Sequence, residues 1–234
     1  MKLFNSEPVP SKFTGNADAD KLMNDLDNYP HAFVLGCIMD RQIKAENAWM
    51  IPYKVSRLIG GFEISRLVSM SEQDVLTLFT TNQLHWMKNP MAHNFYSAVQ
   101  RIHTDYNDNA ANIWNNNPNS AAVVRRLMEF DGVGIKIASM AANILARELK
   151  VPMKDYINID ISPDTHIQRV FKRTGLWRKG GSLEEIIYSA REYNPTYPGV
   201  FDMSCWEIGR NWCKPNNNPD CEGCYLNSHC PRLI

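Results

Sequence analysis

Four cysteines fall within eighteen residues near the end of this 234-residue chain: Cys213, Cys221, Cys224 and Cys230, spaced C-x7-C-x2-C-x5-C. Four thiolates so close together can hold a single tetrahedral zinc ion or an iron–sulfur cluster, and spacing alone does not choose between them. About eighty residues upstream, Phe130-Asp131-Gly132-Val133-Gly134-Ile135-Lys136 sets a lysine just past a glycine turn, and Pro163-Asp164-Thr165-His166 lies between the two motifs. A lysine in the first turn of a helix has its positive charge opposed by the macrodipole. That position suits an amine that must be neutral in order to attack. Asp164 reads as the N-cap of the helix that carries Ile167 and Val170, and a capping carboxylate is rigidly held, which is compatible with acid–base work. His166 reads as structural.

Helices must position these groups, because alternating apolar and polar runs joined by turn dipeptides are absent. His31 to Asp40 is almost wholly apolar and reads as a central buried helix. Ala45 to Leu58 is amphipathic but holds Pro52, which kinks a helix or starts a fresh one. Ser71 to Phe79 opens with Ser-x-x-Asp, close to a capping box. Further helices are expected from Asn89 to about Tyr106, Ala121 to Phe130, Ile135 to Leu149, Thr165 to Thr174, Leu183 to Tyr193 and Met203 to Trp212. The Gly-Val-Gly turn between two of them makes a helical hairpin. Its glycines and the backbone N–H groups that follow could hold a phosphate without reading a base.

Composition bounds the rest. No apolar run approaches the roughly 20 residues of a membrane span, and the N-terminus lacks a signal-peptide core, so a soluble intracellular protein is expected, in the cytoplasm or nucleoid of a bacterial or archaeal cell. The formal net charge is zero, which argues against a nucleic-acid partner. Its distribution argues the other way. Residues 166–179 carry Arg169, Lys172, Arg173, Arg178 and Lys179 and no acidic residue, a basic strip able to bind phosphates. Cys37, within Phe33-Val34-Leu35-Gly36-Cys37-Ile38-Met39, and Cys205, before Trp206, read as packing residues.

In this order, the hairpin from Phe130 to Ala138, the stretch Pro163-Asp164-Thr165-His166-Ile167-Gln168-Arg169-Val170 and the four cysteines resemble the endonuclease III branch of the helix–hairpin–helix DNA glycosylases. Asp40-Arg41-Gln42 resembles the segment where that family carries a glutamine that enters the DNA stack. The resemblance runs from about residue 30 to the C-terminus. It implies an all-α protein of two helical domains with a DNA-binding cleft between them. One domain would span 30–140 and end in the hairpin motif at about 121–149. The other would combine 1–29 with 141–234 and include the cluster loop 213–230. Lys136 would be the nucleophile and Asp164 the assisting carboxylate. Arg41, Gln42, Gly132, Gly134, Ile135, Arg169, Lys172 and Arg173 would contact DNA, and the four cysteines would hold a [4Fe-4S] cluster, with zinc the minor alternative.

The partner implied is double-stranded DNA with a damaged base or abasic site, met by a monomer. The activity implied is removal of a damaged base coupled to β-elimination. Rival readings are a monofunctional glycosylase in which Asp164 activates water, an 8-oxoguanine-type enzyme, and a non-catalytic DNA-binding or redox module. Three departures from the family stand out. Lys136 and Asp164 are 28 residues apart, longer than in endonuclease III, with the extra residues within 148–160. The first cysteine spacer is one residue longer than usual, and Asp131 stands where proline is common. The insertion leaves Asp160 as a minor rival to Asp164.

Overall fold

A computed structural model describes residues 10–177, 181–215 and 218–233. Arg178 and Lys179 of the basic strip lie outside the described residues. Helix α1 (Ala17–Asn24) starts where the Asn16 side chain accepts from the Asp18 and Ala19 N–H groups. Helix α2 (Pro30–Ile38) begins with a proline, whose missing N–H is no loss in a first turn, and every residue in it is buried. It touches α1 and also α3 (Ala45–Trp49) and α4 (Ile51–Ile59). Pro52 does not kink a long helix. It sits in the first turn of α4, which ends at Gly60 with φ +76°.

Helix α5 (Ile64–Val68) leads to α6 (Glu72–Thr81), whose capping box is complete. The Asp74 N–H donates to Ser71 Oγ at 3.2 Å, and the Ser71 N–H donates to Asp74 Oδ2 at 2.9 Å. Helix α6 packs along α7 (Lys88–Tyr106), which reaches back to α2. Helices α8 (Ser120–Met128) and α9 (Ile135–Asn143) form the hairpin, and α9 is extended by a π-helical turn, Ile144–Glu148. After the insertion come α10 (Thr165–Thr174), α11 (Leu183–Tyr193) and α12 (Phe201–Asn211), with α10 lying along α12. No strand occurs among the described residues.

The buried apolar side chains form two groups. The first runs from Phe13 through α2, α7 and α9 to Ile159 and takes in Tyr197. The second holds Ile161, Ile167, Val170, Phe171, Ile186, Ala190, Cys205 and Ile208. The hydrophobic core therefore does not divide near residue 140, because α9 continues into the π turn and residues 151, 153 and 159 pack with the first group. Helix α1 joins that group too, through Met23.

The insertion is folded into this wall. Its Lys154 N–H donates to the Pro118 carbonyl at 2.9 Å, and the Asn158 N–H donates to Ser120 Oγ at 3.1 Å. The Asn143 side chain of α9 donates to the Asp160 carbonyl at 3.0 Å, and the Gly199 N–H donates to the Ile159 carbonyl at 2.7 Å. A Cβ at Gly199 would collide with Asn143 Oδ1 and lie 2.8 Å from that Ile159 carbonyl, so only glycine lets the two segments close.

Candidate active site

Two helix starts bring the chemistry together. The chain turns at Gly132 with φ +78°, and an added Cβ there would collide with Asn94 Nδ2 of α7. Gly132 is thus required by the fold itself. Gly134 is different. Its φ is −98° and an added Cβ would touch nothing within 4 Å. Ser97 Oγ donates to Asp131 Oδ2 at 2.5 Å and pins the turn to α7. Just beyond, Ile135 is exposed at 44% and Lys136 is exposed in the first turn of α9.

Asp164 starts α10. Its Oδ1 accepts from the His166 N–H at 2.9 Å and from the Ile167 N–H at 2.8 Å. Lys136 and Asp164 line one cavity, which continues outward into a wider mouth that both also line. Asp160 stands apart from both. Its carboxylate is held by Arg191 through paired bonds of 2.8 and 2.7 Å, so it serves the fold.

Three further carboxyl groups share the inner cavity, Asp40, Glu148 and Asp202, and burial raises the proton affinity of two of them. Burial raises Asp40 to about 6, against the pull of Lys136 and with the help of Asp164 and Glu46. Burial raises Asp202 to about 7, although Ser162 donates to its Oδ1 from the backbone at 2.5 Å and the hydroxyl at 2.8 Å. Two tryptophans, Trp49 and Trp206, line the same space, and Trp49 Nε1 is a buried donor without an acceptor. Sequence reasoning quoted Asp40 only as part of a motif and missed Asp202. Neither position carries a local pattern, because its burial comes from segments distant in the chain.

At the mouth, Gln42 has a left-handed backbone with φ +56°. Its carbonyl accepts from Trp86 Nε1 at 3.2 Å, and Trp86 itself is 62% exposed. Arg41 lies beside the hairpin, its Nη1 3.3 Å from where a Gly132 Cβ would stand.

Two members of the basic strip are engaged within the protein. Arg169 donates to the carbonyls of Cys213 at 2.5 Å, Thr165 at 3.2 Å and Gly209 at 2.8 Å. Arg173 is buried and donates to the Lys214 carbonyl at 2.7 Å and to Cys213 Sγ at 3.5 Å. Helix α10 lies along α12, so its basic face meets free carbonyls at the C-terminal end of α12. His166 is packed in the same seam: a Cβ on Gly209 would meet the His166 Cβ at 2.6 Å. Lys172 remains on the half-buried side of α10.

The four cysteines line a separate pocket beneath the end of α12. The Arg232 N–H donates to Cys230 Sγ at 3.4 Å, beside the Arg173 contact to Cys213. Among the described residues no three histidine, cysteine or acidic side chains converge as ligands of one metal ion. Among the described residues no helix is long and apolar enough to cross a membrane.

No family model matches the chain. The endonuclease III of Thermotoga maritima is 33% identical over 108 residues, covering 46% of this chain and 45% of that protein. The sequence match thus spans a little under half of the relative's length. A trapped covalent intermediate of endonuclease III with DNA superposes with a TM-score of 0.62 at 17% identity, over 92% of this chain and 93% of that one. A thermostable thymine-DNA glycosylase superposes at 0.59 and 15% identity, over 92% and 94%. In sequence over a little under half its length, and in fold over nearly all of it, the chain is similar to the endonuclease III-like branch of the helix–hairpin–helix DNA glycosylases.

Proposed function

We propose that the chain is a DNA base-excision glycosylase with abasic-site lyase activity. The observation that carries this reading is a lysine at a helix start, sharing one cavity with a capping aspartate, with a glycine turn beside it. Duplex DNA would lie along the hairpin, its phosphate against the Gly132–Gly134 turn and Ile135 alongside. Arg41 and Lys172 would add cationic contacts, and Gln42, braced by Trp86, would fill the space left by the extruded nucleotide. Extrusion costs roughly a few kcal/mol, less for a damaged base.

Lys136 Nζ then attacks the sugar C1′ as the glycosidic bond breaks, and Asp164 stabilises the positive charge developing on the sugar. Asp164 is suited to this role because two backbone donors fix its Oδ1, which leaves Oδ2 uncommitted by the cap. The Schiff base formed at Lys136 allows β-elimination 3′ to the lesion.

Cys213, Cys221, Cys224 and Cys230 would hold a [4Fe-4S] cluster. The four cysteines line one pocket, and four thiolates there suit either a cluster or zinc, with the resemblance to endonuclease III favouring the cluster. The donors on Cys213 and Cys230 are of the kind that tune such a cluster. When bound, the cluster supplies structural cross-linking of the chain end.

A panel of duplexes bearing oxidised pyrimidines or 8-oxoguanine, scored with and without alkali, tests the activity. Strand nicking without alkali is expected, and base loss seen only after alkali would leave a monofunctional enzyme. Asp164→Asn should slow base removal by roughly 10²-fold or more while duplex binding persists. An active Asp164→Asn beside an inactive Asp160→Asn would place the assisting carboxylate in the insertion.

The hairpin glycines should separate cleanly. Gly132→Ala is expected to destabilise the fold by about 1 kcal/mol or more, through its left-handed backbone and the Asn94 contact. Gly134→Ala should leave the melting temperature unchanged and weaken binding to every duplex alike, because only a phosphate approaching from outside needs that space. Melting curves and binding titrations on two unrelated sequences read the two effects.

A further inference from the structure

We propose that Asp40, rather than Asp164, takes the proton that the Lys136 ammonium must lose before it can attack. This rests on the reading of Lys136 as the nucleophile. Asp40 lies just past the end of α2 and lines both the inner cavity and its outer mouth, as Lys136 does. Asp164 also lines both, but its Oδ1 already accepts two backbone N–H bonds as the cap of α10. Those two bonds hold the Asp164 carboxylate in the orientation that the cap requires. No donor among the described residues hydrogen-bonds the Asp40 carboxylate.

Charges around Asp40 favour the same assignment. Lys136 of α9 is the attracting cation, while Asp164 ahead of α10 and Glu46 of α3 repel the Asp40 charge. Glu46 is itself paired with Arg210 of α12 at 2.6 Å. Deeper in the cavity Arg147 and Glu148 pair with each other at 3.4 Å, and Asp202 faces Ser162. Lys44 and His166 stand at the mouth, and the buried Cys37 thiol of α2 lies behind. Burial leaves Asp40 titrating at about 6, close to the proton affinity a base needs at neutral pH.

In the step itself the Nζ–H bond breaks and the proton passes to an Asp40 carboxylate oxygen. The nitrogen lone pair forms the bond to C1′. The electron pair of the glycosidic bond leaves with the base, which is protonated by solvent. Asp40 therefore acts through Lys136 and positions its proton.

The test is the pH dependence of adduct formation between the full chain and an abasic-site duplex, trapped with sodium cyanoborohydride. For the wild type the rate should rise about tenfold per pH unit below about pH 6 and then level off, as Asp40 loses its proton. Asp40→Asn should lose that break and run about 10- to 100-fold slower at pH 7. Asp40→Glu should retain the break. An Asp40→Asn profile parallel to the wild type at every pH, or superimposed on it, overturns the assignment while leaving Lys136 as nucleophile. A wild type that forms no adduct overturns both, since Asp40 then has no amine to serve.

Discussion

Lys136→Ala should abolish covalent trapping on damaged or abasic duplexes and lower strand nicking by at least on the order of 10³-fold, as loss of a nucleophile does elsewhere. The fold should be untouched. Lys136 is exposed, and α9 is anchored instead by Ile137, Ala138 and Ala141 on its inner face. Duplex binding should persist with a slightly shallower salt dependence, by about one phosphate contact's worth at most. The mouth of the cavity offers one nearby amine, Lys44. An adduct that survives Lys136→Ala and disappears in Lys44→Ala would move the nucleophile to the other wall. Retention of nicking in both single variants would remove amine catalysis altogether.

What the sequence made legible follows from what is local. The Ser71–Asp74 capping box and the bounds of α10 and α11 were all readable, because each depends on a few neighbouring side chains and on helical spacing. The glycine turn was readable too, but the division of labour within it was not. Gly132 needs its freedom because of Asn94, almost forty residues earlier. Asp40 and Asp202 escaped notice for the same reason. Their proton affinities are set by burial and by Lys136, Asp164 and Ser162, all distant in sequence.

The basic strip shows the same dependence on packing. Arg169 and Arg173 look like a solvent face until α12 is laid against α10, and then their donors meet carbonyls. The insertion is apolar at Val151, Met153 and Ile159 and so packs with the first core instead of bulging from it. Pattern therefore singled out Lys136 and Asp164 as candidates, whereas long-range packing decides which carboxyl groups around them titrate near neutrality.

Purified protein should be yellow-brown with about four irons per chain, and Cys221→Ser or Cys224→Ser should yield little soluble material. Between Cys213 and Cys221 the chain reads Lys-Pro-Asn-Asn-Asn-Pro-Asp, which has almost no apolar surface to bury. Among the described residues the loop is tied down by Trp212 against Tyr225 with ring centres 4.5 Å apart, by the Arg169 and Arg173 donors, by the Leu233 N–H on the Arg173 carbonyl at 2.9 Å, and by Cys224 and Leu226 packed against the second core. Ordering about eighteen residues costs on the order of 1–2 kcal/mol each. On the proposed reading, metal–thiolate bonds add to those contacts, and their binding free energy becomes folding free energy for the segment. Arg173 makes the loss spread inward. It is buried in the seam of α10 and the cysteine loop, and without that loop its guanidinium loses its acceptors. Cys37→Ser and Cys205→Ser should keep the colour. Both thiols are buried in apolar surroundings that raise their proton affinity, and neither lines the cysteine pocket. One zinc per chain and no colour would keep the structural argument and replace the cofactor, whereas a stable, metal-free protein would show that the loop is held by the protein contacts alone.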